Sequence, residues 1–370
     1  MLQSYSIIYS SVLFDTICTA IFKTKGNLLL REGINLNAQI KAISYYLPEM
    51  TLTNNHLAEI FTDWTSDKIL DKTGISSRHI VSSNETALDL AIRASNKLFE
   101  EHNILPEQID FILLSTQSPD YILPTTACIL QDKLGIPKSA GAIDFNLGCS
   151  AYIYGLALCK SLICSGIAKN ILFITSETYT KHIHPMDKST RTIFGDGAAA
   201  TLVSVSNFDK IGSFVLGTDG SGAENLIIPS GGAKKPRNED TKKEIYDETG
   251  NIRTEEHLYM NGPEIFNFTI REIPKCFNDT LTKNELLIDD IDMFVFHQAN
   301  KFMLDYLRKK LHIPTEKFYV NLANIGNTVS ASIPIALSMA EAEGKINKGD
   351  KLMLVGFGVG LSWGATVIQW

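Results

Sequence analysis

Apolar and polar positions follow two periods along this chain, and the same succession of periods occurs twice. Asn84 to His102 carries Ala87, Leu90, Ala91, Ala94 and Leu98 at helical spacing, which predicts an amphipathic helix. Ile109 to Ser115 is an unbroken apolar run between polar residues, the pattern of a strand covered on both faces. Ala142 to Phe145, Ile171 to Thr175 and Ala198 to Val205 read the same way. Ahead of them, AQIKAISYYLPE from Ala38 predicts an opening strand and turn. Asn54 to Phe61 and Ser66 to Lys72 predict short helices, stopped at Thr73-Gly74-Ile75. The series resumes at Ile211 and runs through Met293 to His297, Tyr319 to Asn321, Lys351 to Gly356 and Thr366 to Trp370. Strands alternating with helices predict an α/β sheet layered with helices.

The recurrence extends to sequence detail. Residues 91–119 and 269–300 each read as a helix, an Ile-Asp, an apolar strand and a polar strand end. Another helix follows in each, closing on Leu-Gly-Ile-Pro at Pro137 and on Leu-His-Ile-Pro at Pro314. FNLGCSAYIYGLALCKSLI then follows the first copy and VNLANIGNTVSASIPIALSMA the second. A repeat of this length predicts a duplicated domain whose halves pack together. We place the halves at residues 37–206 and 207–370, after an extension over 1–36. Chemistry is expected at the seam, where Cys149, His297 and Asn327 would converge.

Composition narrows the classes. The 370 residues are 44% hydrophobic and 20% charged, which excludes disordered and fibrous chains. Net charge is −7 and the longest Lys/Arg run is the three residues Arg308 to Lys310, so the basic stripe of a nucleic-acid partner is missing. Of the cysteines, Cys18, Cys128, Cys149, Cys159, Cys164 and Cys276, none forms a Cys-x-x-Cys pair, a usage that suits a reducing, cytoplasmic location. Ser6 to Phe22 is apolar but interrupted by Asp15, shorter than the ~20 residues of a span, and without the basic start of a signal peptide. An added helix, an interfacial anchor and an upstream start codon all fit it. Gly231 to Glu256 is polar and reads as a solvated loop.

Cys149 stands in Asn146-Leu147-Gly148-Cys149-Ser150-Ala151, between a strand and an apolar helix from Tyr152 to Ile163. A thiol at a helix start faces unpaired N–H groups and the positive end of the dipole, which favour thiolate. Gly148 keeps side-chain bulk from the sulfur. The residues alone leave both a nucleophile and a buried structural cysteine open. His297 closes an apolar strand and would face the crevice at the strand's carboxyl end, although a lone histidine also serves structure. Asn327 lies where an N-cap would explain it, but it falls in the second copy where Cys149 falls in the first. Gly356-Phe357-Gly358-Val359-Gly360 follows a strand and would let backbone N–H groups approach a developing oxyanion. Gly195-Asp196-Gly197 lacks the Gly-Lys-Ser/Thr ending of a phosphate loop. His182-x-His184 has no third ligand nearby, so no metal is expected.

Together these residues resemble the β-ketoacyl-acyl-carrier-protein synthase III family. The resemblance runs from about Ala38 to Trp370. It rests on Thr73-Gly74-Ile75 with Arg78-His79-Ile80, the cysteine segment, Ile193-Phe194-Gly195-Asp196-Gly197-Ala198, His297-Gln298-Ala299-Asn300, Gly326-Asn327-Thr328 and Trp363-Gly364. It implies a thiolase-like α/β fold of five αβαβα layers, with Cys149, His297 and Asn327 as the triad. Cys149 would carry the acyl group, and His297 and Asn327 would bind the malonyl thioester carbonyl. The N–H groups of Cys149 and Val359, in the Gly358-Val359-Gly360 loop, would hold the oxyanion. The resemblance also implies an acyl pocket at Leu123, Phe194 and Met260, with Leu123 reaching into a homodimer partner. A carrier-protein patch would lie at Arg308, Lys309 and Lys310. The implied partners are an acyl-carrier protein and an acyl thioester. No cofactor, nucleic acid or membrane span is expected.

Lys68 and Lys188 occupy the positions at which family members primed from coenzyme A clasp its adenine, which favours a carrier-bound donor. Leu123 stands where many members have Phe, and would admit a longer or branched chain. Two other readings share the fold: an acyltransferase making an ester or amide, and a non-catalytic partner subunit. A thiolase would need a second cysteine in the C-terminal glycine loop, which has none. Degenerate subunits usually lose the triad, and all three residues are present here.

Overall fold

The computed structural model describes residues 36–370; the expectations for Ser6 to Phe22 lie outside the described residues. Two five-stranded sheets dominate. The first contains β1 (Asn37–Tyr46), β2 (Phe111–Ser115), β3 (Gly141–Phe145), β4 (Asn170–Glu177) and β5 (Gly197–Ser206) in the order β1-β5-β4-β2-β3. The second contains β6 (Ile211–Thr218), β7 (Met293–Phe296), β8 (Phe318–Tyr319), β9 (Lys351–Gly358) and β10 (Ser362–Gln369) in the order β8-β7-β9-β10-β6. β2 pairs in parallel with β3 and β4, while β5 is antiparallel to β4 and β1. β7 pairs in parallel with β8 and β9, while β10 is antiparallel to β9 and β6. The two sheets thus share one topology.

Helices cover every face but one edge. Helices α1 (Ala87–His102) and α2 (Thr126–Lys133) pack on Ile112, Leu114, Leu172 and Ile174 of the first sheet. On that sheet's other face Leu113, Ile171 and Phe173 meet α3 (Ala151–Cys164). The same cluster takes in α6 (Ser332–Ala342) and Met293, Val295, Leu352 and Leu354 of the second sheet. Phe294, Phe296, Met353 and Val355 then face α4 (Gly262–Lys283) and α5 (Lys301–Lys310). The strands read as continuous apolar runs because alternate residues enter different cores. The result is five layers, αβαβα, with α3 and α6 at the centre.

The repeat carries through to single residues. Asp110 Oδ2 accepts the N–H groups of Lys169 and Asn170 at the start of β4, and Asp292 Oδ2 accepts that of Lys351 at the start of β9. Each Ile-Asp therefore starts the neighbouring parallel strand. The Leu-Gly-Ile-Pro and Leu-His-Ile-Pro turns place Gly135 (φ 65°) and His312 (φ 55°) in the same left-handed conformation. Helix α1 starts at Thr86, which forms a capping box with Asp89.

One expectation is corrected. Gly141–Phe145 is not covered on both faces: as the edge strand of its sheet it leaves Ile143 exposed. The Gly231 to Glu256 segment is largely solvent-facing through residue 250. Beyond that, Asn251 is buried with its Nδ2 on Ser189 Oγ, and Ile252 N–H donates to Met186 O.

Candidate active site

Four backbone features meet at Cys149. β3 ends at Phe145, the chain turns through Gly148, and α3 begins at Ala151 behind a buried thiol. The carboxyl end of β9 lies directly against it. A Cβ built on Gly358 would stand 2.8 Å from Cys149 Cβ and 3.0 Å from Sγ, so no side chain fits there. Gly148 is equally constrained, its missing Cβ falling 2.7 Å from Gln117 Oε1 and 2.8 Å from Val359 Cγ1. A hydroxyl chain holds the glycine turn to the helix that follows Cys149: Ser150 Oγ meets Ser362 Oγ at 2.7 Å, and Ser362 Oγ donates to Val359 O at 2.7 Å. Among the described residues, neither the Cys149 nor the Val359 N–H donates to a backbone carbonyl outside a helix or strand.

His297 follows β7, and its N–H extends the ladder by donating to Val355 O at 2.8 Å. Its ring stands edge-on to Phe357, 5.6 Å between centroids, with Nδ1 2.7 Å from Ser332 Oγ and Nε2 3.4 Å from Asn327 Nδ2. Asn327 is pinned to the first half of the molecule. Its N–H donates to Ile193 O (2.9 Å) and its carbonyl accepts from Gly195 N–H (3.0 Å), which explains why the Ile193-Phe194-Gly195 segment accompanies the asparagine turn. Asn327 Oδ1 accepts from Val329 N–H at 2.9 Å. Val329 itself sits at φ 54°, a conformation costing a β-branched residue about 1–3 kcal/mol. Its Cγ1 lies beside the Gly148 position, so strain is stored where the two halves touch.

Burial decides the charges. It pushes the Cys149 thiol up to about 12, assisted by the Glu177 carboxyl and opposed by the cysteine's own N–H. The helix start favours thiolate, and burial acts against it. Burial also takes the His297 imidazole down to about 3, so the ring is neutral. Sequence reasoning missed Glu177, a fully buried carboxyl that burial raises to about 8. Its Oε1 accepts from Ser330 Oγ (2.8 Å) and its Oε2 from Gln117 N–H (3.0 Å), which ties the Asn327 turn to the end of β2. The available signal was a lone carboxylate ending the apolar run Ile171 to Glu177. Ser332 was also missed, since nothing in a run of small residues singles it out.

The other candidates are dispersed. Leu123 is 82% exposed at a loop tip with Tyr121 and Ile122. Phe194 is buried against Tyr179 and lines a cavity of about 170 Å³ with Leu52, Ile80 and Ile183. Met260 lines a separate cleft of about 540 Å³ with Trp64, Lys72, Ile193 and Arg253. One chain thus does not bring Leu123, Phe194 and Met260 together. Lys68, Lys72 and Lys188 surround the Trp64 ring at 5.3, 5.4 and 5.9 Å, and Lys188 is ion-paired with Asp63 at 2.5 Å. In the carrier patch Lys309 and Lys310 are exposed, but Arg308 is half-buried and donates to Ile313 O at 3.0 Å, closing its own helix. His182 meets Ser118 Oγ at 3.2 Å, while His184 stacks edge-on against His257; among the described residues no three ligating side chains gather for a metal. No helix among them is long and apolar enough to cross a membrane.

Comparison with known proteins agrees with this geometry. Residues 143–220 match the model for 3-oxoacyl-[acyl-carrier-protein] synthase III, and residues 281–370 match the model for its C-terminal part. The chain is 41% identical over 334 residues to a β-ketoacyl-[acyl-carrier-protein] synthase III of Clostridium perfringens, covering 90% of this chain and 99% of that one. It is 39% identical over 333 residues to one from Fusobacterium nucleatum, covering 90% and 98%. A crystal structure of a 3-oxoacyl-(acyl-carrier-protein) synthase III superposes with a TM-score of 0.89 at 49% identity, covering 90% of this chain and all of that one. With a thiolase-like fold and similarity across nearly the whole of these relatives, the chain belongs to the β-ketoacyl-acyl-carrier-protein synthase III family.

Proposed function

We propose that this protein is an acyltransferase that condenses an acyl thioester with malonyl-acyl-carrier protein, releasing carbon dioxide and forming 3-oxoacyl-carrier protein. The observation that carries the reading is that one buried strand end touches both sides of the site: Gly358 lies against the Cys149 side chain, and Phe357 stands edge-on to His297, whose Nε2 is 3.4 Å from Asn327 Nδ2. In the first half-reaction the sulfur attacks the donor carbonyl, the C–S bond to the departing thiol breaks, and the Cys149 proton ends on that thiol. The tetrahedral oxygen accepts from the N–H groups of Cys149 and Val359. In the second, the malonyl C–C bond breaks and its electrons form an enolate, whose oxygen accepts from His297 and Asn327. The enolate carbon bonds to the acyl carbon, the bond to Cys149 breaks, and the freed sulfur takes up a proton.

Carrier-bound acyl groups are the proposed donors, because Lys68 and Lys188 crowd Trp64 at the cleft. Exposed Lys309 and Lys310 suit an acidic carrier helix. The exposed edge strand with Ile143 and the Tyr121–Leu123 tip support a homodimer, and free cysteines at positions 128, 149, 159, 164 and 276 support a reducing cytoplasm. The test is intact-mass detection of an acyl-enzyme with carrier-bound and coenzyme A-bound donors. Acylation that disappears in Cys149→Ala is expected; labelling that persists there would remove the nucleophile assignment.

A further inference from the structure

We propose that Ser332 is a positioning residue that holds His297 in the tautomer carrying hydrogen on Nε2, so that His297 and Asn327 act as a two-donor clamp in the decarboxylating half-reaction. This rests on the function proposed above and assigns the group that makes the clamp possible.

The argument is a count of hydrogens. Ser332 is buried at the start of α6, and its Oγ has two neighbours: Gln298 N–H at 3.4 Å and His297 Nδ1 at 2.7 Å. A hydroxyl offers one hydrogen and two lone pairs. Gln298 N–H can only donate, so it occupies a lone pair. The hydroxyl hydrogen then has, among the described residues, one acceptor within reach, the Nδ1 lone pair. Were Nδ1 to carry the proton instead, it would take Oγ's second lone pair and leave a buried O–H with no partner. The neutral ring, kept so by burial, has a single N–H to place; the 2.7 Å bond to the serine outweighs the 3.4 Å contact in which Asn327 Nδ2 would donate to Nε2, and directs the hydrogen to Nε2.

Asn327 completes the arrangement. Its Oδ1 is taken by Val329 N–H, which fixes the amide orientation and turns Nδ2 toward the imidazole. With hydrogen on Nε2, the two nitrogens 3.4 Å apart are both donors. They cannot satisfy each other, but one oxygen placed between them can accept from both. The thioester oxygen of the malonyl group, which gains charge as carbon dioxide leaves, is such an acceptor. Acylation of Cys149 uses the other pair of donors and does not need this tautomer.

The test separates the half-reactions in the full-length protein. Acylation is followed by intact mass, and decarboxylation by consumption of malonyl-carrier protein. Ser332→Ala is expected to lower decarboxylation ~10²-fold or more, the scale on which loss of a tautomer-holding partner acts, and to leave acylation within a few-fold. Ser332→Thr, which keeps the hydroxyl, is expected to restore it. Nitrogen NMR on histidine-labelled wild-type protein should show the His297 hydrogen on Nε2, and this spectrum decides the matter by itself should Ser332→Ala not fold. Equal loss of both half-reactions in Ser332→Ala, or hydrogen found on Nδ1, would overturn the proposal. Absence of both half-reactions from the wild-type protein would instead refute the proposed function.

Discussion

Gly358→Ala tests whether the end of β9 sets the position of the nucleophile. The added methyl would sit 2.8 Å from Cys149 Cβ and 3.0 Å from Sγ, with the next atom, Cys149 N, at 3.8 Å. Carbon–carbon contacts relax at roughly 3.5–4.0 Å, so about 0.7–1.2 Å must be found at Cys149 Cβ, and among the described residues the Cys149 side chain is the nearest group in the way. Overpacking of this kind costs about 1–3 kcal/mol. A 1 Å displacement of a reacting atom costs roughly 10²-fold in rate. We therefore expect acyl-enzyme formation to slow about a hundredfold in a protein whose melting temperature falls by only a few degrees. Alkylation of Cys149 by iodoacetamide, which bypasses donor binding, should slow as well.

Two further glycines calibrate the measurement. Gly220→Ala meets nothing within 4 Å and should change neither rate nor melting temperature. Gly356→Ala meets Cys149 O at 2.9 Å and Ser150 Cα at 3.0 Å, which are backbone atoms, so its loss should fall chiefly on stability. If Gly358→Ala acylates at the parental rate, with or without a lower melting temperature, the strand end does not position the sulfur and the reasoning fails.

Other outcomes follow from the buried polar groups and the surface. Glu177 has its folded-state pKa raised to about 8, so the folded protein holds a proton that the unfolded chain releases above ~4.3. That stabilisation is complete below ~4.3 and is lost as pH rises to about 8, at no more than about 1.4 kcal/mol per pH unit. Glu177→Gln should thus gain melting temperature over the wild type between pH 5 and 8, and a pH-independent difference would refute the assignment. Arg78 is fully buried and donates to Leu52 O (2.9 Å), Asn54 Oδ1 (3.0 Å) and Thr192 O (2.8 Å), with no carboxylate partner among the described residues. Arg78→Lys cannot span these three acceptors and should lose about 2–4 kcal/mol in denaturant unfolding. Replacing Lys309 and Lys310 with Glu should raise the KM for malonyl-carrier protein about tenfold at low salt, leave kcat unchanged, and lose its effect as ionic strength rises. An unchanged KM would remove those lysines from the docking surface.

The fold was legible because duplication prints the same physical constraint twice. Asp110 and Asp292 start equivalent strands, and Gly135 and His312 turn equivalent corners. A periodicity that would be ambiguous once becomes an architecture when it recurs. Edge position was only hinted at: Asp144 interrupts Gly141–Phe145 where the adjacent Phe111–Ser115 carries no charge, and the strand order then shows why Ile143 is exposed. The triad positions stood out singly, Cys149 ahead of a helix, His297 after a strand and Asn327 in a turn, and only the family resemblance joined them into a triad. Ser332 and Glu177 did not stand out, because their roles depend on which groups a folded chain brings within 3 Å, across 35 and 153 residues of sequence.

The charge of Cys149 is set by two influences of opposite sign, only one of which is visible in sequence. A helix start is a local feature visible in sequence, and it does favour a thiolate. Burial is a property of the whole molecule, and here it wins, with the nearby Glu177 carboxyl pulling the same way. A neutral thiol and a neutral imidazole leave neither group with a standing charge to solvate. Under the proposed mechanism the helix start and the two backbone N–H groups act on charge only while it exists, first on sulfur and next on the thioester oxygen. Such donors lower a barrier when they bind the transition state more strongly than the resting state. A site that kept its thiolate at rest would satisfy those donors before any substrate arrived. If proton loss from Cys149 accompanies attack in this way, acylation should slow in deuterium oxide. A rate that is the same in both solvents would mean that the sulfur is already charged before the donor reacts.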